Sequence, residues 1–235
     1  MPKPKEPQIR AWSYSRWQTY DECPARAKYL YVDRLSKEEE KSPALERGGA
    51  IHEEAKLYVQ GHYGKKAKLP ESLGRFDNEF AILRRAWDDK KHDVFLEEQW
   101  AYTSDWEPTE WFAPDAWARV VLDAMISDWP AKRAMVIDHK TGRVRPEKHA
   151  SQLSLYGLAV LARFENVERV HATLWYLDHG VAHGESYTRD QLAALKKEWE
   201  GRVDKMLADR RFDPKPSSAC QWCPFSKSKG GPCRY

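Results

Sequence analysis

Val136-Ile137-Asp138-His139-Lys140-Thr141-Gly142 decides how this sequence folds. Ala134 to His139 is a short apolar run ending in charge, the pattern of a buried strand, and Thr141-Gly142 turns the chain after it. Alternate residues of a strand share a face, so Asp138 and Lys140 project together. Upstream, Asp123 interrupts a second apolar strand, Trp117 to Asp128. A carboxylate there is costly unless a cation or hydrogen bonds satisfy it. Two aspartates on adjacent strands with a lysine suit metal-dependent phosphodiester hydrolysis. Carboxylates hold the hard ions Mg2+ or Mn2+. The ion activates water and neutralises phosphate charge, while the lysine orients the water or stabilises the developing charge. An exposed strand-end salt bridge is the competing reading of Asp-x-Lys alone.

Neighbouring segments add to the constellation. Gln152 and Tyr156 stand one helical turn apart on the helix Glu147 to Phe164 and share a face. Gly48-Gly49-Ala50-Ile51-His52 places a histidine on the helix Ala44 to Gln60. The strand Val94 to Thr103 carries Glu97 and Glu98, of which only one can face the site; Glu98 is the choice.

The rest of the chain frames these segments. Residues 1–12 read as a flexible arm, and 13–235 as one domain: a helical part (13–91), a catalytic core (92–187), and a helix with a Cys-rich tail (188–235). Ser13 to Tyr31 is expected as one helix capped by Ser13, with Tyr14, Trp17, Tyr20 and Ala27 at helical spacing. Ser36 to Ser42 reads as an exposed loop, 61–72 as a linker, and Leu73 to Lys91 as a helix. Asp105 to Ala116 reads as a Trp- and Pro-rich loop. Val170 to Leu177 and Val181 to Tyr187 pair through Asp178-His179-Gly180, and Thr188 caps a helix to Arg211. Helices, a strand meander, then helix and strand again predict an α/β fold with a mixed sheet.

Composition excludes several classes. Lys plus Arg number 39 against 36 Asp plus Glu, a net charge of +3, so any nucleic-acid contact is local. The 11 Trp and 11 Tyr can build a substantial core. No apolar run approaches the roughly 18 residues of a membrane span. The polar, Pro- and Lys-rich start does not read as a signal peptide, so a cytoplasmic location is expected. Local basic candidates are Arg16, Trp17, Arg26 and Lys28; Arg143, Arg145 and Lys148; and Lys227, Lys229 and Arg234. A solvated face is the alternative for each. Trp106, Trp111 and Trp117 are candidates for base stacking or for the core.

Cytoplasmic thiols are seldom disulfide-bonded. Cys220-Gln221-Trp222-Cys223, with Cys233 downstream and Cys23 far upstream, instead reads as a metal-ligand set. Four thiolates suit tetrahedral zinc or an iron–sulfur cluster, and spacing does not choose between them.

In order and setting these residues resemble the RecB-like branch of the PD-(D/E)XK nuclease superfamily. The carrying motifs are Gly48 to His52, Asp123, Asp138-His139-Lys140 with Thr141-Gly142, and Gln152 to Tyr156. Leu122 precedes Asp123 where that branch often has Gly and Ile or Val before the aspartate. The resemblance implies a restriction-endonuclease-like core, a mixed central sheet flanked by helices. It implies that His52, Asp123, Asp138 and the His139 carbonyl hold Mg2+ or Mn2+. Glu98 would serve a second metal or water, Lys140 would be catalytic, and Gln152 and Tyr156 would position the strand or the lysine. Cys23, Cys220, Cys223 and Cys233 are similar in layout to the four ligands of a [4Fe–4S] cluster in AddB-type and CRISPR-associated RecB-like exonucleases. There the cluster staples the two ends of the domain, with structural zinc as the alternative. The nine residues between Cys223 and Cys233 exceed the usual spacing. The implied activity is a metal-dependent deoxyribonuclease, an exonuclease on single-stranded or open DNA ends, bacterial or phage-encoded. A non-catalytic nucleic-acid-binding protein that keeps the fold, and a zinc-stapled adaptor, are the rival readings. Monomer and ring are both open. Alanine at Asp138 or Lys140 is expected to abolish cleavage and leave the fold intact.

Overall fold

A computed structural model describes residues 8–35, 43–64, 67–89 and 92–235. Ser36 to Ser42, the first seven residues of the expected arm, and Lys91 lie outside them. The chain forms β1 (Trp12–Ser13), α1 (Tyr14–Glu22), α2 (Pro24–Ala27), α3 (Pro43–Val59) and α4 (Asp77–Asp89) before the main strands. Then come β2 (Val94–Tyr102), β3 (Pro108–Thr109), β4 (Ala118–Asp128), β5 (Arg133–Lys140), α5 (Pro146–Arg163), β6 (Arg169–Tyr176), β7 (Val181–Thr188) and α6 (Leu192–Ala208). The sheet runs β3-β2-β4-β5-β6-β7, with β1 added alongside β4. It is mixed: β5 and β6 are parallel and joined by the α5 crossover, while β2–β4, β4–β5 and β6–β7 are antiparallel.

Helices cover both faces. On one side, residues of α1, α5 and α6 pack with Val120, Leu122 and Val136. Trp12 stacks on Trp199 at 5.6 Å, and Trp17 meets Trp199 edge-on. On the other side, Ile51, Ala55 and Tyr58 of α3 and Phe80 and Leu83 of α4 cover Ala124, Ile137 and Trp175. Strand β5 is therefore buried on both faces, as its apolar run requires. Gly157 permits α5 to lie on β7, since a Cβ there would sit 2.5 Å from the Tyr187 ring.

Several expectations are corrected. The arm expected over residues 1–12 does not extend to Ile9 and Trp12, which are buried in the core. The single helix Ser13 to Tyr31 breaks at Cys23, which is extended (φ −160°, ψ 107°). Pro24 lacks an N–H and disfavours helical backbone in the residue before it, so a new helix starts there. That helix closes in a wide turn in which Asp33 N–H donates to Lys28 O. The helix Leu73 to Lys91 begins instead as a tight turn, Glu71–Phe76. Thr188 caps as expected, through a reciprocal box with Gln191, but one tight turn precedes α6, which stops at Ala208.

A fork in the sheet positions the site. On the side of β4 away from β2, Trp12 and Ser13 of β1 pair with Ala118 and Arg119, and β5 pairs only from Ala124 onward. Among the described residues, 120–123 thus have no strand partner on that side.

Candidate active site

Asp123 stands at the mouth of the fork. The β4–β5 pairing ends at Ala124 and Ile137, and one step further a side chain replaces the backbone acceptor. His139 N–H donates to Asp123 Oδ2 at 2.6 Å. The same oxygen lies 3.4 Å from His52 Nδ1 on α3 and 4.0 Å from His139 Nδ1. Each of these three residues offers a donor atom within 4.8 Å of the others. The His139 ring, 4% exposed, packs against Phe80 and Trp175, and among the described residues neither ring nitrogen has a hydrogen-bond partner. Unpartnered buried nitrogens are costly. Two imidazoles and a carboxylate converging there fit a divalent cation.

Asp138 and Lys140 share the opposite face of β5, as the alternation predicts. The Asp138 carboxylate, on a residue 4% exposed, is enclosed by a ring of side chains. Its Oδ1 accepts from Tyr156 OH at 2.5 Å and from Gln152 Nε2 at 3.0 Å. Its Oδ2 pairs with Lys140 Nζ at 2.5 Å, and Lys140 also donates to Gln152 Oε1 at 3.0 Å. Gln152 Nε2 reaches Tyr156 OH at 2.7 Å. The expected ligand set thus divides: His52, Asp123 and His139 converge, while Asp138 faces Lys140, Gln152 and Tyr156.

Charge follows this division. Burial opposes ionisation of Asp123, but His52 and the His139 ring and N–H outweigh it and hold its carboxyl below the usual range. Burial works against the His52 cation too, and Asp123 overcomes it, so that pKa rises. Burial lowers His139 to about 4, leaving a neutral ring. Asp138 is raised by burial against the pull of Lys140, with Asp123 adding to the rise. Burial lifts the Tyr156 phenol well above its ordinary value, which keeps it a donor.

Glu97 and not Glu98 faces this centre. Glu97 lines a cleft of about 830 Å³ with His52, His139 and Lys140, and Glu98 does not. Its backbone is left-handed (φ 54°), which departs from regular alternation at the position opposite Asp123. Burial, then Asp123, raises its pKa. Two residues missed by sequence reading brace the mouth. Asp178 accepts from Arg47 Nη1 and Nη2 at 3.0 and 2.5 Å and from Gly142 N at 2.7 Å. This ties the start of α3 to the turn after Lys140, and the Arg47 bonds hold Asp178 down to about 2. Arg47 and Asp178 lie 131 positions apart, and no local pattern joins them.

The basic candidates differ in surroundings. Arg16 donates to Arg10 O and Ala11 O at 2.8 and 2.9 Å, and it lines a second cavity with Gln152 and Tyr156. Arg143 is exposed and Arg145 half-buried in the turn between β5 and α5. Lys148 shares a groove with Asp21, Glu22, Glu147 and Glu198, which oppose a phosphate. Trp106 is core and Trp117 packs against it, whereas Trp111 is half-exposed. Cys23, Cys220, Cys223 and Cys233 are free thiols that line one small cavity between the α1–α2 junction and the tail.

The fork thus sets a candidate cation site of His52, Asp123 and His139 beside the Asp138–Lys140 pair. The chain belongs to the PD-(D/E)XK nuclease superfamily, whose sequence model matches residues 11–228. The crystal structure of SSO0001 has a similar fold, with a TM-score of 0.51 over 100% of this chain and 90% of that one, at 14% identity. No curated protein matches the sequence. Among the described residues no helix is long and apolar enough to cross a membrane.

Proposed function

We propose that this chain is a Mg2+- or Mn2+-dependent deoxyribonuclease that hydrolyses phosphodiester bonds, acting as an exonuclease on single-stranded or open DNA ends. The observation that carries the reading is the pairing of two groups across one fork. His52, Asp123 and His139 form a cation-binding set, and Asp138, Lys140, Gln152 and Tyr156 form a closed polar ring. A divalent ion there would neutralise phosphate charge and lower the pKa of water. His52, Asp123 and the His139 carbonyl or ring are its proposed ligands; Asp138 joins them only if one of its oxygens leaves Lys140, and Glu97 takes the place first given to Glu98. The two imidazoles favour Mn2+ over the oxygen-preferring Mg2+. Lys140 brings a positive charge to the incoming phosphate, and Gln152 and Tyr156 hold Lys140 and Asp138 in register. Arg143 and Arg145 extend from the turn after Lys140 and are proposed strand contacts, with Arg16 on the far side. The end preference rests on the resemblance to RecB-like exonucleases.

Cys23, Cys220, Cys223 and Cys233 are proposed to hold a [4Fe–4S] cluster, with zinc as the alternative metal. The support is that four free thiols from both ends of the chain line one cavity. Anaerobic purification with absorbance and metal analysis tests the cysteine site. Absorbance near ~400 nm with iron supports the cluster, and about one zinc per chain replaces it. Cleavage of linear and closed-circular single-stranded DNA with Mn2+ tests the activity. Degradation of the linear form alone supports an exonuclease, and equal cutting of the circle rejects one.

A further inference from the structure

We propose that the second cavity at the fork, about 280 Å³ and bounded by Arg16, Trp111, Arg119, Gln152 and Tyr156, is a subsite for one unpaired nucleotide of the substrate strand, its base stacked on Trp111 and flanked by the exposed Phe112, which neighbours the lining Arg119. This rests on the nuclease reading and deepens it by naming where one nucleotide of the strand sits.

Position is the first support. The cavity opens over Val120 and Val121, within the stretch of β4 that lacks a partner between β1 and β5. Gln152 and Tyr156 form its inner wall and also bond Asp138, so an occupant adjoins the proposed reacting centre.

Charge is the second support. Among the described residues no carboxylate lines the cavity, and two guanidiniums do. Among the described residues neither Arg16 nor Arg119 is ion-paired with an acid, and both line this one cavity; burial lowers the Arg16 pKa, Tyr31 opposes that, and Arg119 lowers it further. Two neighbouring cations without a counter-charge suit a phosphate.

The aromatic surface is the third support. Phe112 is 85% exposed at the tip of the loop between β3 and β4. The Arg119 guanidinium lies 5.1 Å from the Trp111 ring centre and 5.6 Å from that of Phe112, and its Nε donates to Trp111 O at 3.0 Å. One face of each ring thus meets a cation, and the exposed Phe112 presents its other face to solvent. The loop is anchored, because Trp106 is buried, Thr109 pairs with Ala101, and Thr109 Oγ1 donates to Asp115. Two aromatic side chains on an anchored loop, each beside Arg119, offer the chemistry of single-strand recognition, where bases stack and phosphates are neutralised. A base within a duplex cannot reach such a platform unless it is unpaired.

Fluorescence-anisotropy titration in EDTA tests this without cleavage. The probes are a labelled single-stranded oligonucleotide and a blunt hairpin of equal length. Phe112→Ala removes an exposed ring and leaves the core untouched; Arg119→Gln removes the cation. The expected result is a loss of about tenfold in single-strand affinity for each variant, about 1.4 kcal/mol, with the ratio of single-strand to hairpin affinity falling. Unchanged affinity in Phe112→Ala, an equal loss on both probes, or no single-strand binding by the parent chain overturns the subsite. A parent that cuts DNA while the variants bind normally refutes the subsite alone. A parent that never cuts, with the selective binding loss intact, refutes the nuclease reading alone.

Discussion

Replacing Lys140 with methionine strips the compensating charge from a buried carboxylate. Asp138 is 4% exposed, and Lys140 Nζ is 2.5 Å from its Oδ2. At an effective dielectric of 20 that separation corresponds to roughly 7 kcal/mol of gross attraction, most of it spent on desolvation. Removing one partner of a buried pair costs about 3 to 5 kcal/mol. Asp138 keeps its bonds from Tyr156 and Gln152, so the lower end, about 3 kcal/mol, is expected. This amends the expectation that Lys140→Ala leaves the fold intact. Urea unfolding in EDTA of the parent, Lys140→Met, Asp138→Asn and the double variant measures it as a cycle. The double variant should cost less than the sum by about 2 kcal/mol. The pH dependence has a definite sign. The Asp138 pKa is already raised by burial, and losing Lys140 raises it further. The native state then holds a proton that the unfolded chain releases, so the penalty in Lys140→Met grows as pH rises through the native pKa and shrinks in acid. Additive single effects, with coupling below about 0.5 kcal/mol, would refute the reasoning.

Trp199→Ala should lose about 3 to 5 kcal/mol by urea unfolding, because Trp199 is fully buried, stacks on Trp12 and donates to Ser154 Oγ. Gly157→Ala should lose about 1 to 3 kcal/mol in the same assay, since the added Cβ meets the Tyr187 ring at 2.5 Å. In EDTA, His139 should make stability rise with pH between about 4 and 6.5, where the unfolded ring binds a proton and the native ring does not. The rise is at most about 3 kcal/mol, is complete above the unfolded pKa, and should flatten in His139→Phe.

The strand carrying Asp138 and Lys140, its neighbour carrying Asp123, and the helix carrying Gln152 and Tyr156 were legible because period-two and helical spacing fix their faces. His52 was legible only through its motif. Glu98 was preferred wrongly because alternation fails where Glu97 adopts a left-handed backbone. The expected arm ends earlier because two buried residues, Ile9 and Trp12, sit in a polar stretch, and Trp12 gains its partners from distant segments, pairing with Ala118 and packing on Trp106, Trp117 and Trp199. The break at Cys23-Pro24 was visible in the proline and was overridden by the aromatic spacing. The split between the Asp123 and Asp138 environments, and the Arg47–Asp178 brace, depend on contacts between distant segments that no sequence window contains.

Cleavage of end-labelled single-stranded DNA with Mn2+, Mg2+ or EDTA, by the parent chain beside Asp123→Asn and Asp138→Asn, tests the central claim most directly. The account predicts cutting by the parent with a divalent ion, none in EDTA, and none by either variant that retains parent-like circular dichroism. Cutting in EDTA, undiminished cutting by both variants, or no cutting by the parent with either ion would contradict it.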